Sequence, residues 1–331
     1  MKKKVAMKDI AEAMNVSIVT VSKALGGREG VGEKLRGEII KKAQELGYVI
    51  SDRKKSSGNN KIAILIPERY VSDRSFYVKI YQQMIMGFSE RGLIGVLEIV
   101  KRENEEAGVL PYLVQSQAVD QAVLIGEMHA QMIERLIEAG MELIFFDFQN
   151  EEYDVDAIVG DNINGGYLLT RHLVKSGCDK IGFVGEYRAT RSILDRFMGY
   201  MKYLMAKGRE MNPAWVIPDR SLDGANIDLV LPLKNMPDAF VCNNDEAALR
   251  LIRTLQAAGY KVPEQISVCG YDDYTSQESD GMDLTTYHVN IEEMVRLCIQ
   301  LVETRVSDPG HRLGTVTVNG RLVEGASVKK G

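Results

Sequence analysis

Short polar side chains close several of the chain's apolar runs. Asp147 follows Leu143-Ile144-Phe145-Phe146, the pair Asp161-Asn162 follows Ala157-Ile158-Val159-Gly160, Asn243-Asn244-Asp245 follows Ala239-Phe240-Val241-Cys242, and Asp272-Asp273 ends the run from Ser267 to Tyr271. If the runs are parallel strands, these residues stand at the carboxyl ends, where open parallel sheets hold their ligands. The Asp272-Asp273 pair invites an acid/base reading, but adjacent residues at a strand end usually point in different directions, which favours ligand contact. Other catalytic patterns do not form. The stretch Gly26–Gly32 is glycine-rich without the G-K-[ST] ending of a phosphate loop. Neither G-x-S-x-G nor H-E-x-x-H occurs, and His129, His172, His288 and His311 show no metal-ligand spacing. The site residues therefore point to binding, with no catalytic group, metal or cofactor.

A second constellation lies near the start, in Met7–Leu25. Ile10, Ala11 and Met14 form one buried stripe, and Val21, Ala24 and Leu25 form another. Asn15-Val16-Ser17 separates them, with Ser17 placed to cap the second helix. That leaves Ile18, Val19, Ser22 and Lys23 on or near the outward side. Two short helices across a tight turn make a helix-turn-helix. In a major groove Ile18 and Val19 suit thymine methyl groups and Lys23 suits guanine O6 or N7. Ser17, Thr20 and Ser22 suit phosphates. An ordinary helical hairpin, with Ile18 and Val19 covered by another element, is the other reading of the same pattern.

The elements that position these groups follow from texture. After Lys61 the runs IAILI, GVLEIV, AVLIG, LIFFD, KIGFVG, AFVCN and ISVCGY read as buried strands. Amphipathic helices are predicted between them at Phe76–Arg91, Ala130–Ala139, Gly165–Lys175, Ile193–Lys207 and Glu246–Ala258. Strict alternation means parallel sheets covered on both faces, and the number of units suggests two doubly wound halves. Within 331 residues a small all-α head is thus joined to a large α/β body. The boundaries read as a head over 1–48, a polar linker over 49–61 and a body over 62–331. One lobe of the body takes about 62–161 plus 290–319, the other about 162–289 plus 320–331.

Charge divides the same way. Residues 1–61 hold 14 Lys or Arg against 7 Asp or Glu, while the other 270 hold 27 against 39. A basic head on an acidic body suggests a head that meets a polyanion. The linker's Arg53, Lys54 and Lys55 add phosphate attraction. No uncharged apolar run reaches membrane-spanning length, and no signal-peptide core is present. Cys178, Cys242, Cys269 and Cys298 are widely spaced in apolar settings and read as buried thiols, which fits the cytoplasm.

The sequence resembles the lactose-repressor (LacI/GalR-type) family of bacterial transcription regulators. The resemblance rests on KDIAEAMNVSIVTVSKAL with VGEKLRGEIIKKAQELGY, on GDNINGGYLLTRHLVKSGCDKIGFVG, and on NNDEAALRLIRTLQAAGYKVPEQISVCGYDD followed by LTT. It implies a body like a periplasmic sugar-binding protein, with two lobes joined by three crossings. It further implies a homodimer on a pseudo-palindromic double-stranded operator, and a small effector, carbohydrate-derived, held between the lobes. In the family Ile18, Val19 and Lys23 match base-reading positions, and Ser17, Thr20 and Ser22 match backbone-contacting ones.

Arg196, Asn244 and Asp272 match ligand contacts. An Arg with five donors and an Asp with two acceptor oxygens can clamp vicinal hydroxyls. Phe76, Tyr77 and Phe148 are candidates for the apolar wall, with core packing as the alternative for each. Asp161 reads as structural first. Arg188 and Arg191 beside Arg196 suit an anionic effector, or are solvated surface groups. The chain departs from the family at Gly26 and Gly32, which replace an asparagine and a serine around the loop before the third helix. It departs in three further places. No leucine stands between Gly47 and Ile64, Asn15 replaces the turn glycine, and Glu324 replaces an arginine. A solute-binding protein without a DNA role is the rival reading of the body, and it would need a secretion signal in place of the basic head.

Overall fold

A computed structural model of the chain describes residues 7–25, 30–46, 48, 60–71, 76–274, 283–308 and 310–330. Arg53, Lys54, Lys55 and Gly26 lie outside the described residues. The head comprises α1 (Met7–Met14), α2 (Ile18–Leu25) and α3 (Glu33–Leu46). Then come β1 (Lys61–Pro67), α4 (Phe76–Glu90), β2 (Ile94–Val100), α5 (Arg102–Ala107), α6 (Tyr112–Gln115), β3 (Gln121–Ile125), α7 (Ala130–Glu138), β4 (Glu142–Phe146) and β5 (Asp156–Gly160). The chain continues through α8 (Asn162–Lys175), β6 (Ile181–Val184), α9 (Arg191–Ala206), β7 (Val216–Ile217), β8 (Ala239–Cys242), α10 (Asp245–Ala257), β9 (Ser267–Cys269) and β10 (Thr286–His288). It ends with α11 (Ile291–Ser307), β11 (Thr315–Val318) and β12 (Arg321–Val323).

Two compact units divide these elements. One holds Met1–Ile158 and Val295–Val316, the other Val159–Met294 and Thr317–Gly331, so the chain passes between them three times. In the first unit, α1, α2 and α3 close around Ile10, Ala11, Val21, Ala24, Val31, Ile39 and Ala43. Asn15 takes a φ of 53° at the turn between α1 and α2, a left-handed conformation that asparagine tolerates better than most residues. A six-stranded sheet follows in the order β11-β5-β4-β3-β1-β2. Its central strand β1 runs parallel to both neighbours, with Ile64 opposite Leu97 on one side and Val123 on the other. Ile62 to Ile66 are fully buried, as a strand covered on both faces requires.

One ion pair is buried in this unit. Arg305 donates to Asp156 Oδ2 at 2.5 Å and to the Leu143 carbonyl at 3.0 Å, while Asp156 Oδ1 accepts the Leu313 and Gly314 amides. These bonds tie α11 and the segment leading to β11 onto β4 and β5.

The second unit carries a four-stranded parallel sheet in the order β7-β6-β8-β9, with β10 and β12 pairing antiparallel beside it. Against it lie α8 and α9, and their approach depends on two glycines. A methyl group at Gly166 would run into the Arg196 carbonyl, and one at Gly199 into the Ile163 carbonyl. All four cysteines are buried. Burial pushes the Cys298 thiol up to about 12 and those of Cys242 and Cys269 well above the ordinary value. Among the described residues no helix is long and apolar enough to cross a membrane.

Candidate DNA-reading helix and effector site

The start of α2 is built by its own side chains. Ser17 Oγ accepts the Thr20 amide at 3.0 Å and lies 2.8 Å from Thr20 Oγ1, so the cap forms as its sequence position predicts. Ile18 packs partly on the head core. Val19, Ser22 and Lys23 line a crevice with Met141, Leu143, Asp154, Val155 and Arg312. Ser22 is buried as a result, at 7% exposure, whereas the helical pattern alone places it outward. Lys23 forms an ion pair with Asp154, and its ammonium, by direct hydrogen bonding above all, holds the Asp154 carboxyl below the usual range. The face of α2 that the sequence assigns to DNA thus lies against the body of its own unit.

In the second unit Arg196 gathers the polar strand ends. Thr190 caps α9 by accepting the Ile193 amide, and the close pass of α8 at Gly166 sets the height of the Arg196 backbone. Buried to 7% exposure, its guanidinium donates to Asn162 Oδ1 at 2.8 Å and to the Asn243 carbonyl at 2.6 Å. It stacks 3.8 Å above the centroid of Tyr271 and lies 3.4 Å from Asp272 Oδ1. The strand end turns sharply there, with φ of 103° at Asp272 and 53° at Asp273. The two carboxylates diverge as a result: Asp272 meets Arg196, whereas Asp273 lies 2.9 Å from His288 Nδ1.

Other sequence candidates take local roles. Asp161 caps α8 by accepting the Asn164 amide at 3.0 Å, the structural role expected of it. Asn244 spends its side-chain carbonyl on capping α10, accepting the Ala247 amide at 2.8 Å. Its neighbour Asn243 is the one joined to Arg196. Arg188 forms a two-point pair with Glu186, at 2.8 and 3.0 Å, which lowers the Glu186 carboxyl.

Sequence reasoning missed Asp219 and Arg220. Asp219 is fully buried, and that burial opposes its charge. Arg220 at 2.7 Å, the Asn243 amide at 2.8 Å and the Glu186 N–H at 3.0 Å overcome it and hold the carboxyl below its ordinary value. Asp245 differs, because burial dominates there. Although Thr286 Oγ1 donates at 2.6 Å and the Tyr274 amide at 2.8 Å, its pKa rises to about 7.

In the first unit, aromatic groups collect at strand ends. Tyr77, in the first turn of α4, donates to Asp147 Oδ2 at 3.0 Å, and its ring lies 4.7 Å from that of Tyr70 and 5.6 Å from that of Phe76. Phe148 is buried and stacks on Phe145 at 4.5 Å, the core-packing alternative. Tyr70, which the sequence did not single out, follows β1 in a short 3-10 turn.

Two family profiles match the chain: "Bacterial regulatory proteins, lacI family" over residues 6–51 and "Periplasmic binding protein-like domain" over residues 170–328. The chain thus joins a lacI-family head to a periplasmic-binding-protein-like body. Curated relatives of this chain include proteins named HTH-type transcriptional repressor PurR. The one from Photobacterium profundum is 24% identical over 337 residues, covering 98% of each chain. That of Aliivibrio salmonicida is 24% identical, covering 98% and 99%.

Similar solved structures share the lacI-family fold. The CelR transcriptional regulator in complex with cellobiose gives a TM-score of 0.73 at 24% identity, covering 98% of this chain and 100% of that one. A lac repressor dimer bound to operator and the anti-inducer ONPF gives 0.68 at 19% identity, covering 99% and 100%. A lacI-family regulator from Enterococcus faecium with bound ribose gives 0.66 at 21% identity, covering 81% and 98%.

Proposed function

We propose that this chain is a transcriptional repressor that acts in the cytoplasm as a homodimer on a pseudo-palindromic operator, controlled by a neutral, hydroxyl-rich effector of the sugar class. One observation carries the choice of effector: Arg196, Arg220 and Arg188 each already face a carboxylate. Arg196 lies 3.4 Å from Asp272, Arg220 2.7 Å from Asp219 and Arg188 2.8 Å from Glu186. Such a set has little net charge to attract a phosphate or uronate, but many directed donors and acceptors for hydroxyls. The gap between Arg196 and Asp272 exceeds the roughly 2.7–2.9 Å of a tight charge-assisted bond, which suits a pair that shares a ligand oxygen. The CelR and Enterococcus faecium structures hold cellobiose and ribose, which supports the same class. Asp272 and Asp273 diverge, so these two carboxylates are not aimed at one substrate atom.

DNA is read by α2, through Ile18, Val19 and Lys23 at bases and Ser17, Thr20 and Ser22 at phosphates, with Arg53, Lys54 and Lys55 adding charge. Lys23 cannot serve Asp154 and a guanine together, so operator binding opens the contact between α2 and the body. Control requires the effector to bind unequally to the arrangements with and without DNA.

The test is selection of bound sequences from random duplex DNA by the full chain, followed by titration of the selected duplex with neutral sugars and sugar phosphates. A palindrome whose affinity changes with a neutral sugar is the expected result. Response to phosphorylated or acidic sugars alone would overturn the effector class. Purely salt-sensitive binding without an enriched sequence would overturn the repressor reading.

A further inference from the structure

The outer face of α9 has no role in the effector group that its inner face helps to build. Leu194, Met198 and Met205 are 40%, 48% and 71% exposed, and Met201 between them is half-buried. Isolated exposed apolar side chains are ordinary. These four recur at steps of four, three and four, so at 3.6 residues per turn they share an arc of about 60°. That is the seam spacing of a helix that packs against another helix. One flank is closed, because Phe197 and Leu204 are buried in their own unit. The other carries Asp195 and Lys202.

We propose that this face binds the same face of a second copy of the chain, the two α9 helices lying antiparallel. The stripe is self-complementary in that direction: Leu194 meets Met205 of the other copy and Met198 meets Met201. On the open flank Asp195 then stands opposite Lys202 and Lys202 opposite Asp195. A parallel pairing would instead set this charged flank of each copy against the apolar flank of Phe197 and Leu204. Methionine suits such a surface, since its flexible thioether adapts to a partner. Four side chains per copy make a contact smaller than the roughly 1,200–2,000 Å² of a stable interface. The seam is therefore a second contact between assemblies already held elsewhere. With the homodimer proposed above it joins dimers into tetramers.

Sedimentation equilibrium of the full chain over a range of concentrations tests this. The wild type is expected to reach a largest species of twice the mass seen for Met198→Glu/Met205→Glu, whichever unit is doubled, so the result does not depend on the homodimer reading. Asp195→Lys and Lys202→Asp alone are expected to weaken this association at least tenfold, and the two together to restore it. Selected-duplex binding by each variant checks that the chain remains folded. Equal largest masses for wild type and the double glutamate variant would overturn the proposal. Failure of the paired charge reversal to restore association would overturn the antiparallel register.

Discussion

Arg196 acts through the geometry of its fork, with one donor to Asn162, one to the Asn243 carbonyl and one face on Tyr271. A lysine carries the charge but cannot reproduce that fork. Arg196→Lys is expected to weaken effector binding at least tenfold, about 1.4 kcal/mol, while binding of the effector-free protein to its selected duplex persists; calorimetry and a mobility-shift titration measure the two. Asp245 yields a prediction in pH. Its folded pKa of about 7 lies above the ordinary carboxylate value, so between the two the folded state holds the proton more tightly than the unfolded chain. Its contribution is thus fully present at low pH and is lost as pH rises through about 7. Urea unfolding at about pH 5 and about pH 8 should show the wild type losing on the order of 1–3 kcal/mol more than Asp245→Asn over that interval. An identical pH slope in the variant would assign the loss to other groups. Arg196 could not be chosen from its local pattern, since an arginine at the start of an amphipathic helix is equally at home in water. The family resemblance, not the periodicity, pointed to it.

At the scale of elements, the pairing of α8 with α9 sets where the Arg196 group sits. Gly166→Ala places a methyl against a backbone carbonyl, which no rotamer change relieves. A loss of about 1–3 kcal/mol in unfolding free energy is expected, together with weaker effector binding, although position 166 itself need touch no ligand. The contact of α2 with the body predicts opposite effects for its two partners. Asp154→Asn frees Lys23 from an exposed pair worth about 1 kcal/mol or less, so DNA affinity should rise a few-fold at every sequence. Lys23→Ala should instead lower cognate affinity by about 1–3 kcal/mol and relax preference at one base pair. Repeating the duplex selection with both variants separates the two effects. Unchanged affinity of Asp154→Asn for every duplex would dissociate Asp154 from DNA control.

Across the molecule, legibility followed the length of the apolar runs. Most of the parallel strands from Ile62 to Cys269 and the amphipathic helices between them stand close to their predicted limits, because they are buried on both faces or carry one clean stripe. The run over 95–100 is an exception, since β2 lies at the sheet edge with Ile94 and Ile99 exposed where a buried strand was expected. The strand-end rule singled out Asp161, Asn243, Asp245 and Asp272 in the second unit and Asp147 in the first. It could not find Asp219 and Arg220, because β7 is only Val216–Ile217 and leaves no run to be followed. Tyr70 was hidden for a related reason, lying in a 3-10 turn after Pro67. In Asn243-Asn244-Asp245 the order of roles was set by the start of α10, which takes Asn244 as its cap and turns the adjacent carbonyl toward Arg196. Burial of Ser22 depends on a partner surface far away in sequence, which no helical periodicity records.

The four sheltered cysteines carry a consequence of another kind. A buried thiol held protonated is a poor nucleophile toward peroxides and maleimides alike, so mild oxidation should leave regulation by this protein untouched. The same silence makes it a convenient host for a dye. A single cysteine introduced in place of the exposed Met86 would be the fast-reacting thiol of the folded chain and could report motion by fluorescence without removing any native residue of the core.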